Sequence, residues 1–145
     1  MTRNDYIRLN RLIATIVFLV SFIVYYDTMA PTVSYWDCGE FIAVSHTLGV
    51  PHPPGSPFFL LLGRIASMLP ITEDIAFRVN LLSPISSAFA VMFLYLVIVL
   101  LVANWKGGIK NYQDSLVSFG GGVIGSLTFA FTDSHWFNAV EAEVY

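Results

Sequence analysis

Residues 88–103 read AFAVMFLYLVIVLLVA, sixteen consecutive positions without a charged side chain. They lie within the longer apolar segment Ala76–Trp105. A helix needs about 20 apolar residues to cross the hydrocarbon of a bilayer, so the segment reads as a membrane span. Two further runs meet the same test. Leu12–Tyr26 (LIATIVFLVSFIVYY) follows Arg3, Arg8 and Arg11 and closes on Tyr25 and Tyr26, side chains suited to the membrane–water interface. A cleaved signal peptide is the competing reading there. However, Thr28-Met29-Ala30-Pro31 offers no A-x-A site and puts a proline directly after the candidate cleavage residue. Leu116–Phe131 (LVSFGGGVIGSLTFAF) is uncharged and rich in small residues. Ser118, Gly122, Ser126 and Ala130 recur every fourth position, and Gly121 with Gly125 forms a GxxxG pair. That spacing puts a groove of small side chains on one helix face, where another helix can approach closely.

The composition agrees. The 145 residues are 56% hydrophobic and only 12% charged, with a mean hydropathy of +0.69. A soluble domain carries about 25% charged residues. Disorder is excluded, because it requires low hydrophobicity and high charge. Seven Lys+Arg against ten Asp+Glu leave a net charge of −3, which excludes a nucleic-acid binder built on a basic face. The single cysteine, Cys38, excludes an intramolecular disulfide framework and a cysteine-based zinc site.

Ser56–Leu69 (SPFFLLLGRIASML) is the remaining apolar stretch. It has only 14 residues, with Gly63 and Arg64 near its middle and Pro57 and Pro70 bracketing it, so it reads as interfacial or re-entrant. The spans then fall at about 12–27, 77–104 and 115–132. This keeps Lys106 and Lys110 on the same side as the N-terminal arginines, which the positive-inside rule makes cytoplasmic. The sequence therefore predicts an all-α polytopic membrane protein with three transmembrane helices. It forms a single membrane domain over residues 1–145 with the N-terminus in the cytoplasm. Residues 28–76 become a long outer loop holding a helix-forming stretch and an amphipathic one, and the segment after Phe131 returns to that outer side.

Most of the residues able to do chemistry gather there. Asp37 and Glu40 are three positions apart and share a face if Asp37 begins a short helix. Two neighbouring carboxylates can divide the roles of proton acceptor and ionised partner; they can equally serve a helix N-terminus. Between Gly49 and Pro57 there are four prolines, in the order Pro51, Pro53, Pro54 and Pro57. They fix a rigid irregular path around His52, a candidate proton carrier or a turn residue. Arg64 and Arg78 are embedded in apolar sequence, suited either to gripping a phosphate or to snorkelling and pairing with Glu73 or Asp74. The C-terminal group is Asp133, His135, Trp136, Asn138, Glu141 and Glu143, of which Glu141 and Glu143 are too close in sequence to share a helical face. Asp37, Glu40, His46, His52 and His135 include metal-ligating types, but no HExxH or other tight ligand spacing occurs, so no metal or other cofactor is indicated.

The order of these features resembles the start of the GT-C superfamily of membrane glycosyltransferases. More closely, Asp37-Cys38-Gly39-Glu40, Leu48-Gly49-Val50, His52-Pro53-Pro54-Gly55 and Ala142-Glu143-Val144-Tyr145 resemble the membrane-protein family known as domain of unknown function 2723. That family is similar to an endoplasmic-reticulum protein O-mannosyltransferase. The resemblance covers about residues 10–145. It implies juxtamembrane helices in the outer loop, a polyprenyl-phosphate sugar donor and a protein or envelope glycan acceptor. It implies a catalytic role for Asp37 with Glu40 as partner. His52, Arg64, Arg78, His135 and Glu143 would be the donor-phosphate or substrate-binding residues. The expected setting is a bacterial cytoplasmic membrane, or the endoplasmic reticulum in a eukaryote. GT-C enzymes have many more spans, so the chain is expected to be the N-terminal portion of an enzyme, completed by further transmembrane helices and inactive alone. The alternative is a non-catalytic membrane scaffold or transporter subunit that docks a partner through Gly122 and Ser126.

Overall fold

The computed structural model describes residues 3–53 and 55–142. Among the described residues every regular element is an α-helix: α1 Arg3–Thr28, α2 Cys38–Thr47, α3 Pro57–Met68, α4 Ile75–Asn80, α5 Leu82–Trp105, α6 Tyr112–Ala130 and α7 Asp133–Ala139. Asn4–Thr28 and the α4–α5 run Ile75–Trp105 are each long and apolar enough to cross a membrane. The third expected span differs in form. α6 meets that test only when taken together with α7, across a break at Phe131-Thr132 just before the polar Asp133-Ser134. α3 has 12 residues, about 18 Å at 1.5 Å per residue, against a hydrocarbon core of about 30 Å.

The chain divides into two compact units. The first contains the chain up to Ile23 together with Ser87–Thr132. Its seam follows helical spacing, with Ala88, Val91, Tyr95 and Val99 of α5 and Ala14, Val17 and Ser21 of α1 all buried. The Tyr95 hydroxyl donates to Asn10 Oδ1 at 2.9 Å, which satisfies a polar group inside an apolar bundle. The small-residue stripe of α6 is used within the chain. A Cβ on Gly122 would lie 2.7 Å from Val99 Cγ2 and 2.9 Å from the Tyr95 ring, so α5 occupies the groove. Gly121, of the GxxxG pair, has nothing within 4 Å. Leu12, Ile16, Phe93, Val97, Leu100 and Ile124 face outward. An apolar exterior of this extent suits lipid and would be a liability in water.

The second unit comprises Val24–Ser86 and the chain from Asp133 onward. Here α2, α3 and α4 pack on one another. Gly63 makes the α2–α3 approach possible, since a Cβ there would sit 2.8 Å from Ser45 Cβ. Phe41 of α2 meets Phe59 of α3 edge-on with ring centroids 5.8 Å apart. Ile42, Ala76, Val79 and Ala142 form the apolar centre. Asp74 caps α4 by accepting from the backbone N–H groups of Ala76 and Phe77 at 2.8 and 3.4 Å.

Candidate active site

The irregular segment from Ala30 to Asp37 carries the first acidic residue, and buried polar groups hold it from two sides. Asn80, fully buried, donates through Nδ2 to the carbonyls of Ala30 and Thr32 at 3.0 and 2.9 Å. From the C-terminal segment, the Val140 carbonyl accepts from Ala30 N–H at 2.8 Å, and the buried Glu141 carboxylate accepts from the Ser34 hydroxyl. The chain then turns through Trp36, whose φ of 62° lies in the left-handed region. That conformation costs a non-glycine residue on the order of 1–2 kcal/mol, which the flanking bonds offset.

Asp37 follows at the N-cap of α2. Its carbonyl accepts from Phe41 N–H at 3.0 Å, but its side chain makes no capping bond. The carboxylate is left 47% exposed, with His52 Nε2 at 3.9 Å from Oδ2. Glu40, in the first turn of α2, is held twice by a single residue. Its Oε1 accepts from the backbone N–H of His52 at 2.9 Å, and its Oε2 lies 2.7 Å from His52 Nδ1. The proline-rich turn sets this contact. Gly55 N–H donates to the His52 carbonyl at 3.1 Å, with Gly55 at a φ of 76° that favours glycine. Phe41 lies beside the ring, centroids 6.2 Å apart. The ring hydrogen bond from His52 is the main cause holding the Glu40 carboxyl below its usual range. The same bond is the main cause raising the His52 pKa, against a smaller desolvation effect.

Asp37, Glu40 and His52 thus converge, with ligating atoms within 4.8 Å of one another. Hydrogen bonds to His52 already engage both Glu40 oxygens, and neither His46 nor His135 joins the group. The other candidates make their contacts elsewhere. The Arg64 guanidinium donates to the His46 carbonyl at the end of α2. Arg78 closes the end of α3 and the loop after it. Its Nη1 donates to the carbonyls of Ser67 and Leu69 at 2.6 and 3.0 Å, and its Nε to that of Asp74 at 3.4 Å. His135, on α7, stands edge-on to Tyr25 with centroids 6.0 Å apart, and Trp136 donates to the Thr28 hydroxyl at 3.2 Å. Glu143 lies outside the described residues. Ile42, Ala43 and His46 of α2 line an open groove of about 400 Å³ with Thr32, Val33 and Ile75.

Ser34 and Asn80 are absent from the residues that the sequence singles out, and Glu141 stands there only as one of the C-terminal acids. The available signal is a lone asparagine in the apolar run Val79–Leu82; their partners, backbone carbonyls above all, have no signature in sequence. Asn80→Leu removes both Nδ2 bonds and strands two carbonyls. At about 0.5–1.5 kcal/mol per bond, the expected loss is about 1–3 kcal/mol, read as a lower thermal unfolding midpoint in detergent. Asn80→Leu with an unchanged midpoint would show that the bonds do not hold the segment.

A family model described as the Protein O-mannosyl-transferase TMEM260 N-terminal domain matches residues 37–145, so the matched region starts at Asp37. Protein O-mannosyl-transferase tmem260 of Dictyostelium discoideum is 33% identical over 133 residues, covering 90% of this chain and 14% of that protein. Protein O-mannosyl-transferase TMEM260 of Mus musculus is 33% identical over 109 residues, covering 75% of the chain and 14% of the relative. The chain therefore spans about a seventh of the length of these relatives. No solved structure matches it.

Proposed function

The chain belongs to the TMEM260 N-terminal domain family of protein O-mannosyl-transferases, and on that premise we propose that it is the N-terminal part of a GT-C-type membrane glycosyltransferase. The enzyme transfers a sugar, mannose by analogy with the relatives' names, from a polyprenyl-phosphate donor to a hydroxyl of a protein acceptor. The observation that carries this reading is the Asp37 carboxylate. It is half-exposed, free of capping duty and set beside His52 at the start of the family match. Such a transfer needs a base for the acceptor hydroxyl and a positive group for the departing phosphate. Asp37 and His52 are the two kinds of group required. Arg64 and Arg78 brace the α2–α3–α4 layer by closing helix ends, and further transmembrane helices of the full-length enzyme complete the substrate site.

The reaction takes place on the non-cytoplasmic face, with Arg8, Arg11, Lys106 and Lys110 on the cytoplasmic side. Both relatives are eukaryotic, which favours the endoplasmic reticulum over a bacterial membrane. The test uses the full-length protein in sealed vesicles, supplied with polyprenyl-phosphate mannose and a serine- and threonine-containing peptide. Hexose should appear on the peptide, and polyprenyl phosphate should be released with it. Transfer from a sugar nucleotide in the absence of the lipid donor overturns the reading. Sidedness is read on Val50→Cys, at a residue 90% exposed, whereas the native Cys38 is buried and silent. A membrane-impermeant maleimide should label it from the non-cytoplasmic side alone, and labelling from the cytoplasm reverses the orientation.

A further inference from the structure

We propose that Glu40 is a positioning residue for His52, and that His52 presents its Nε2–H to the phosphate of the lipid-linked donor while Asp37 takes the acceptor proton. This deepens the functional reading above and rests on it. The geometry distinguishes the two carboxylates. Glu40 has one oxygen on the His52 backbone N–H and the other on the ring Nδ1, so neither oxygen faces a substrate hydroxyl. A two-point hold on one residue fixes both the place of the loop and the rotation of the ring. With Nδ1 engaged, Nε2 is the outward nitrogen, the arrangement by which a carboxylate commonly orients a working histidine.

Nε2 lies 3.9 Å from Asp37 Oδ2, too far for a direct hydrogen bond. That separation leaves each free for its own oxygen, the acceptor hydroxyl at Asp37 and the phosphate oxygen at His52. The side chains are 40% and 47% exposed, so the gap opens to solvent. Among the described residues, no lysine or arginine forms an ion pair with either carboxylate. The charged groups facing the His52 ring are Asp37 and Glu40, both from the start of α2, and both favour its protonated form.

In the transfer, the acceptor O–H gives its proton to Asp37 as its oxygen bonds to the anomeric carbon of the sugar. The bond from that carbon to the phosphate oxygen breaks, and its electron pair leaves with the phosphate. The charge that develops on that oxygen meets the His52 Nε2–H. The products are the O-glycoside and the lipid phosphate, and Asp37 then returns its proton to water.

The test uses the full-length protein in nanodiscs with ring-labelled histidine, the His52 signal being assigned by its loss in His52→Gln. In the wild type its titration midpoint should lie above the ordinary histidine value, and Glu40→Gln should lower it while the thermal unfolding midpoint stays the same. A short-chain polyprenyl phosphate should shift the His52 ring signals in the wild type. In the transfer assay, Glu40→Gln should lose about tenfold at neutral pH and recover as the pH falls, because acid restores the imidazolium. A His52 midpoint that ignores Glu40→Gln overturns the positioning role, and ring signals that ignore the lipid phosphate overturn the phosphate contact. Glu40→Gln activity lost equally at every pH assigns Glu40 to the proton transfer instead. The two NMR readouts need no turnover, so they stand apart from a failure of the glycosyltransferase reading, which would show as a wild type with no transfer.

Discussion

Asp37→Asn in the full-length protein is expected to lower sugar transfer by about 10²–10⁴-fold, the range for loss of a positioned general base, with protein abundance and thermal unfolding unchanged. The two halves of this expectation have separate causes. Asparagine keeps the size and polarity of the side chain but cannot accept a proton from the acceptor hydroxyl. Stability should hold because the Asp37 side chain makes no capping bond and is half-exposed. Substitutions at such positions are usually within about 0.5 kcal/mol of neutral. The Glu40–His52 contact, made by other atoms, stays in place. Initial rates with polyprenyl-phosphate mannose, alongside a melting curve of the same preparation, check both halves. A variant that retains activity within a few-fold removes Asp37 from the chemistry, whereas a variant that unfolds makes it a structural residue.

The second large effect lies in the membrane bundle and sets two adjacent glycines against each other. In Gly122→Ala the new Cβ would stand 2.7 Å from Val99 Cγ2 and 2.9 Å from the Tyr95 ring. Tyr95 cannot easily yield, since it is fully buried and its hydroxyl is tied to Asn10. Overpacking of this kind costs about 1–3 kcal/mol. In Gly121→Ala the same methyl group meets nothing within 4 Å. It should stabilise α6 by up to about 1 kcal/mol through helix propensity. The two variants should therefore move the unfolding midpoint in opposite directions from the wild type. Equal shifts would mean that α5 does not occupy the small-residue groove.

The parts of the site differ in how far they can be read from the chain. The apolar runs show the helices, because burial in lipid demands long uninterrupted stretches of carbon. The proline-rich turn around His52 shows a rigid path, because proline fixes φ wherever it occurs. The pairing of Asp37 with Glu40 was expected from a spacing of three residues. The two carboxylates do lie together, but Glu40 takes its hydrogen-bond partner from twelve residues further on. Spacing along one helix cannot register a loop that folds back onto it. Arg64 and Arg78 look alike in sequence, each a charge among apolar neighbours. Both face helix-end carbonyls, which every residue carries and no sequence displays. Glu141 was legible only as a C-terminal acid, and its bond to Ser34 joins positions 107 residues apart.

The sequence by itself determined that this is a helical membrane protein, which residues form its long helices, and that Asp37, Glu40, His52 and the prolines around it lie in one stretch between apolar runs. These are properties of composition and period, which act locally along the chain. Tertiary structure decided that α5 fills the groove of α6, that the helix of the third apolar run ends at a break before Asp133, and that Glu40 faces His52 while Asp37 stays open. Each of these depends on which atoms meet across a turn or between helices. That is settled by close packing and by the demand that buried polar groups find partners, conditions that exist only once the chain has folded.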